Sequence, residues 1–322
     1  MINNIYTVLL PTIVIMLMIS TVLLGVTDYA LIYDLGTSAR QIAMGNIDGF
    51  SESSDSVFEN PAGLYRINQL SMSVFSTKVM GEVQYTMMAI SGKMPIGRIG
   101  VGVMQATVGD IPKTVRYDGS TTTLTIDNDP TTPNYPQIEH WFDYKNSIYK
   151  LSYQMSLTER LEGGINYVHY RNEFYSVLGT GSNFDLGVIY THPKYETSML
   201  VRNILPNQEV VYNTGAYETL PIQYVLSMRR SFKWGWDIMP QIKYQQKEWL
   251  TSLGAKYTPN FLPFIHFMGG YKTLLTVTQT RKTNATVGIG LSLGNISVYY
   301  AYERSDYVLN DHKSYVSIAT NF

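Results

Sequence analysis

The sequence predicts an all-β fold: a transmembrane antiparallel β-barrel of about fourteen strands. Three observations carry that reading. The tail from Asp311 to Phe322 alternates, with Val316, Ile318 and Phe322 on one face and Thr320 among them. A strand that closes the chain on an aromatic is how outer-membrane barrels commonly finish. The 322 residues are 45% hydrophobic but only 15% charged, against about 25% in soluble domains. Mean hydropathy is nonetheless -0.07, too polar for a bundle of transmembrane helices. Low charge with middling hydropathy fits side chains that alternate between lipid and lumen. The third observation is loop length, taken up below.

From the N-terminus, Ile5 to Val26 is one apolar run, broken by Tyr6, Thr7, Pro11, Thr12, Ser20, Thr21 and Gly25, with Asp28 the first charge. It predicts a secretory signal over residues 1–30. An uncleaved membrane helix and a start at Met16 or Met18 are the alternatives. Cysteine is absent and 26 residues are Tyr, a residue that suits strands and membrane interfaces. The absence of Cys excludes disulfides, thiolate metal sites and a Cys nucleophile. A net charge of -1 gives no nucleic-acid footprint.

The barrel is expected over 69–322, with strands near 69–77, 82–94, 97–108, 144–155, 161–172, 182–192, 195–203, 221–231, 235–245, 249–258, 262–272, 283–293, 295–302 and 312–322. Ala285, Val287, Ile289, Leu291 and Leu293 share one face, and Ile296, Val298, Tyr300 and Tyr302 repeat the pattern. So do Phe184, Leu186, Val188 and Tyr190. The long loops, 109–143, 173–181, 204–220, 273–282 and 303–311, all follow odd-numbered strands. Loops after even strands are tight: Pro95-Ile96, Pro193-Lys194, Phe232-Lys233-Trp234, Pro259-Asn260 and Gly294. Short periplasmic turns and longer outer loops produce that parity, and a soluble sandwich has no reason for it.

Residues 31–68 do not read as barrel. Ser38 is placed to cap a short helix that ends at Gly45, and Asn60-Pro61 starts a turn. Gly36, Ala39, Arg40, Ala43, Met44 and Gly45, then Asn60-Pro61-Ala62-Gly63-Leu64, resemble the signature of FadL-like outer-membrane proteins, most closely their PorV/PorQ branch. Asn203-Ile204-Leu205-Pro206 followed by Leu220-Pro221 is similar to that branch's N-x-G-P…L-P-L element, with Leu205 in place of Gly. Ser54-Asp55 stands where a paired Asp usually precedes. The resemblance implies a fourteen-stranded barrel with residues 31–68 as an internal plug. It implies no cofactor. It implies membrane lipids and the outer-membrane assembly machinery as partners.

Two functions follow from the resemblance. One is handling or transport of hydrophobic molecules past the plug. The other is a non-enzymatic role in type IX secretion, with exported protein as cargo. A third reading rests on His312 and Ser314, spaced as in outer-membrane lipid deacylases, although no oxyanion partner is recognisable. The other histidines, His140, His169, His192 and His266, show no metal-ligand spacing. Gly97-x-x-Gly100-x-Gly102 has no following helix to bind a phosphate, and Gly163-Gly164 and Gly288-x-Gly290 read as strand glycines that relieve crowding.

Overall fold

A computed structural model describes residues 35–79, 82–115, 137–275, 281–304 and 313–322. Its strands are β1 Leu70–Val79, β2 Val83–Lys93, β3 Arg98–Val115, β4 Gln137–Thr158, β5 Leu161–Phe174, β6 Val177–His192, β7 Tyr195–Arg202, β8 Glu209–Tyr212, β9 Tyr217–Thr219, β10 Gln223–Ser231, β11 Trp236–Gln245, β12 Glu248–Tyr257, β13 Ile265–Leu275, β14 Arg281–Leu293, β15 Ile296–Arg304 and β16 Lys313–Asn321. Fourteen of them form a closed antiparallel barrel. The other two, β8 and β9, form a hairpin whose β8 pairs with β6 at Gly179 and Thr180.

Closure comes from β16 pairing with β1, from Ser71↔Asn321 to Ser76↔Val316, and the Gln69 amide donates to the Phe322 carbonyl at 3.1 Å. In lipid no water can satisfy a free edge, so the last strand must meet the first. The predicted faces are present. Val287, Ile289, Leu291 and Leu293 point outward and exposed, as do Ile296, Val298, Tyr300, Val316, Ile318 and Phe322. Their inward neighbours Tyr315, Ser317 and Ala319 are buried.

The wall is uneven in height. Strands β3 and β4 have 18 and 22 residues, whereas β7 has 8 and β15 and β16 have 9 each. A membrane crossing needs about 9–11 residues, so β3 to β6 project beyond the bilayer. This corrects the predicted outer loops. Residues 173–181 are no loop: β5 and β6 continue to a two-residue turn at Tyr175-Ser176. Residues 204–220 hold the β8–β9 hairpin, and 109–143 holds strand as far as Val115 and again from Gln137. The physical reason is packing: Gly179 and Gly181 lie against the β8–β9 hairpin and offer no side chains to alternate, so Gly-rich strand reads like loop. The tip 116–136 lies outside the described residues, as do 276–280 and 305–312.

At the other end the turns are tight, as expected, with one exception. Met94 donates to Gly97 across the Pro95-Ile96 turn at 3.0 Å, and Gly97 takes a positive φ of 80° that favours Gly. The expected two-residue turn at Pro259-Asn260 is instead the wider segment 258–264, and β13 begins at Ile265 rather than 262. Pro259 and Pro263 bracket that segment and cannot donate to a ladder.

Candidate functional site

The segment from Leu35 to Ile67 sits inside the barrel and is almost wholly buried. It begins with helix α1, Ala39–Ala43. Ser38 caps that helix, its Oγ accepting from the Gln41 amide at 3.3 Å. Gly45 follows with a φ of 74° and ends it. Further along come α2, Ser56–Glu59, and a 3-10 turn, Pro61–Arg66. Asn60 caps the turn: its Oδ1 accepts from the Ala62 amide at 3.0 Å. Pro61 then takes the first position, where its missing N–H costs nothing. The predicted cap at Ser38 is therefore present, and the turn expected at Asn60-Pro61 is a 3-10 turn that Asn60 caps.

The two sequence motifs meet in the lumen. The Arg40 guanidinium pairs with Glu59, the residue just before Asn60, and lies 4.0 Å from Asp55. The other Glu59 oxygen accepts from the amides of Gly49 and Ser51 at 3.3 and 3.1 Å. Ala62, Leu64, Ala39 and Ala43 are fully buried. Gly36 takes a φ of 92° and its carbonyl accepts from the Tyr85 hydroxyl at 2.9 Å. Burial would lower the Arg40 pKa, but the carboxylates of Glu59 and Asp55 outweigh it and hold Arg40 above its usual value.

Several side chains that fix this segment to the wall were not singled out from sequence. Arg202 pairs with Asp48 at 2.9 Å and also reaches the Phe58 carbonyl at 3.2 Å. Arg66 pairs with Glu196, which also accepts from Tyr65 at 2.7 Å and from Arg229 at 2.6 Å. Lys150 and Asp185 form a buried pair at 2.6 Å. Asn166 shares the same Asp185 oxygen at 3.1 Å and donates to the Val57 carbonyl, also at 3.1 Å. The signal was available: Lys150, Asp185, Glu196 and Arg202 are charges at inward-facing positions of membrane strands. Such charges are expensive unless they have partners. The Asn203…Pro221 element also closes on itself, for Asn203 Nδ2 donates to the Pro221 carbonyl at 3.1 Å.

Between the plug and the short-turn end lies a cavity of about 320 Å³, lined by Arg40, Glu52, Arg229, Asp237, Lys256 and His266 among others. Lys256 pairs with Asp237 at 3.1 Å, and His266 is held between Thr258 at 2.9 Å and Ser292 at 3.1 Å. The Glu52 side chain is 66% exposed and lies 3.7 Å from Arg229. Enclosure by the barrel pushes the Glu52 carboxyl up, but Lys256, Arg229, Arg66 and Arg40 outweigh it and hold Glu52 below the usual carboxylate range. The lining is charged, with both signs represented, so the cavity suits water or polar groups better than a hydrocarbon.

Ser314 faces outward on β16, and its hydroxyl lies 3.0 Å from the Tyr300 hydroxyl. His312 lies outside the described residues, so only one member of the proposed pair has a place. No group of three potential metal ligands occurs among the described residues.

Comparison with known proteins gives two results. A family model described as "Type IX secretion system membrane protein PorP/SprF" matches residues 171–319. Solved barrels share the fold. The toluene transporter TodX of Pseudomonas putida superposes with a TM-score of 0.58 at 12% identity, covering 89% of this chain and 99% of its own. The toluene transporter TbuX of Ralstonia pickettii gives 0.55 at 11%, covering 89% and 98%. A FadL homologue of Pseudomonas aeruginosa gives 0.56 at 10%, also covering 89% and 98%. This is a bacterial outer-membrane β-barrel with a FadL-like fold. No curated protein matches the sequence. The family match begins at residue 171, beyond the plug motifs, and names PorP/SprF rather than the PorV/PorQ branch that those motifs resemble.

Proposed function

We propose that this barrel is a non-enzymatic outer-membrane component of type IX protein secretion, with exported protein as its cargo or partner. The observation that carries the reading is the PorP/SprF match, which runs from the outer part of β5 to β16. The lumen supports it. A path for hydrophobic molecules needs apolar walls. Here the plug joins the wall through ion pairs and amide hydrogen bonds, and the cavity beside it is charged. Deletion of the gene should leave type IX cargo in the periplasm, and the wild-type chain should restore its export. Normal export without the protein would end this reading.

One observation favours passage of hydrophobic molecules as a second reading. The β10–β11 ladder runs from Gln223↔Gln245 to Ser227↔Gln241 and resumes at Arg230↔Ile238. Pro240 has no N–H to donate, and the pairs around it are missing. Arg229 and Met239, at this break, also line the cavity. The fold shared with the toluene transporters points the same way. Faster toluene uptake by cells producing this barrel would favour the second reading over the first.

A further inference from the structure

We infer that the short-turn end of the barrel holds the phosphate of an anionic phospholipid, gripped by Arg230 together with Lys194 and Lys233. The observation is a charge on the lipid face. Along β10, Met228, Arg230 and Phe232 are exposed, while Ser227 is buried and Arg229 turns inward to Glu196. The ladder pairs Arg230 with Ile238 on β11, two residues nearer the bilayer centre than Trp236. Trp236 stacks on Tyr257 with ring centroids 4.8 Å apart, and Tyr244 lies 4.7 Å from Trp249 at the far end of the same two strands. Such aromatic pairs mark the two edges of a barrel's apolar band. Arg230 therefore stands just inside the edge of the hydrocarbon, where a charge is expensive without a partner.

No carboxylate is that partner. Among the described residues Lys194, Arg230 and Lys233 make no ion pair. Cations at the opposite end do, Lys113 with Glu139, Lys145 with Asp143 and Arg281 with Glu248. Arg230 instead lays its guanidinium over the Phe232 ring, 5.2 Å from the centroid. The three cations are neighbours. The β7–β10 ladder ends at Glu196↔Arg229, so Tyr195 and Arg230 come next on the two strands, with Lys194 one residue beyond Tyr195. His192 stacks on Tyr195 at 4.6 Å and accepts from the Lys194 amide at 3.3 Å, which orders that turn. Lys233 is exposed in the turn after β10, beside Trp234. A soluble protein does not reach the lipid face, so the group that meets Arg230 is a lipid headgroup. A guanidinium grips phosphate through two parallel N–H bonds, and Arg and Lys stems run along apolar surface to reach it. Three cations exceed what a zwitterionic headgroup would match. This inference goes beyond the proposed function and does not rest on it.

Native mass spectrometry of the full-length barrel in detergent tests it, with phosphatidylglycerol and phosphatidylcholine as probes. The wild-type chain is expected to retain phosphatidylglycerol roughly tenfold better than phosphatidylcholine. R230Q/K233Q should lose that preference. K93Q/K247Q removes two exposed lysines elsewhere and should keep it. Inorganic phosphate at the lipid's own concentration should displace nothing. An unchanged preference in R230Q/K233Q, or an equal loss in K93Q/K247Q, would overturn the inference. A wild-type chain without preference would leave the three cations to a soluble acidic protein, and displacement by phosphate would make the site one for a free anion. Either result would also overturn it. If R230Q/K233Q does not fold, K194Q/K233Q changes turn residues only and carries the same expectation. Lipid retention is read without secretion, so failed export with an intact lipid preference counts only against the proposed function.

Discussion

The inner and outer faces of the same strands obey different rules. On β14, Val287, Ile289 and Leu291 face lipid, while Asn284, Thr286 and Gly288 face inward. The outer face there meets a solvent that is the same everywhere, so any residue of the right polarity serves. The inner face meets one partner, the plug, at fixed atoms. Gly288 is set by the Ala43 methyl and Thr286 by the Ala43 carbonyl. Generic solvation gives a sequence pattern, whereas a specific partner gives residues that look irregular until the partner is in place.

Substitutions sharpen this contrast. The largest effect is expected at the inner face. Gly164→Val puts a branched side chain on the backbone of Ala62, and the SDS-resistant, heat-shifted gel band of the folded barrel should be lost. Asp48→Ala leaves Arg202 buried beside a lost partner, at a cost of about 3–5 kcal/mol, readable as a lower midpoint in urea. On the outer face the size of the change depends on polarity alone. Ile289→Lys should cost about 2–4 kcal/mol near the bilayer centre, whereas Ile289→Leu should leave the midpoint unmoved. A large loss from Ile289→Leu would break the comparison, because it would mean the outer face of β14 also has a specific partner.

Two smaller effects lie within the plug. Asn60→Ala removes the cap on the 3-10 turn and the donor to Ser198, for about 1–3 kcal/mol by the same urea measurement. Acid should weaken the plug through Glu52. Its carboxyl titrates below the usual range when folded, so its contribution is present above that range and is lost as pH falls through the folded value. Because Glu52 is largely exposed, the effect is the smallest of the set. Glu52→Gln should flatten the acid limb of a stability-against-pH curve, and an unchanged limb would remove Glu52 from the account.

The sequence was most legible where water or lipid alone sets the side chain. The alternation of 285–293 and 296–302, the closing strand at Phe322, the cap at Ser38 and the turn at Asn60-Pro61 follow from local chemistry, and all are present. Legibility failed in two places. In residues 173–181, Gly179 and Gly181 pack against Tyr212 and Val210 of the β8–β9 hairpin, so the strand has no alternation of side chains there and read as loop. Inside the barrel, Lys150, Asp185, Glu196 and Arg202 are isolated charges in sequence and acquire their partners only when neighbouring strands and the plug come together.

By itself, then, the sequence determined the membrane barrel, its closure and the presence of a capped N-terminal segment, because period-2 alternation and capping are local. Tertiary structure alone decided that Arg40 meets Glu59, that Arg202 holds Asp48, and that the strand glycines Gly164 and Gly288 are seats for the plug. Those relations join residues up to hundreds of positions apart, such as Ala43 and Thr286, and no local pattern encodes which atom will stand opposite a missing side chain.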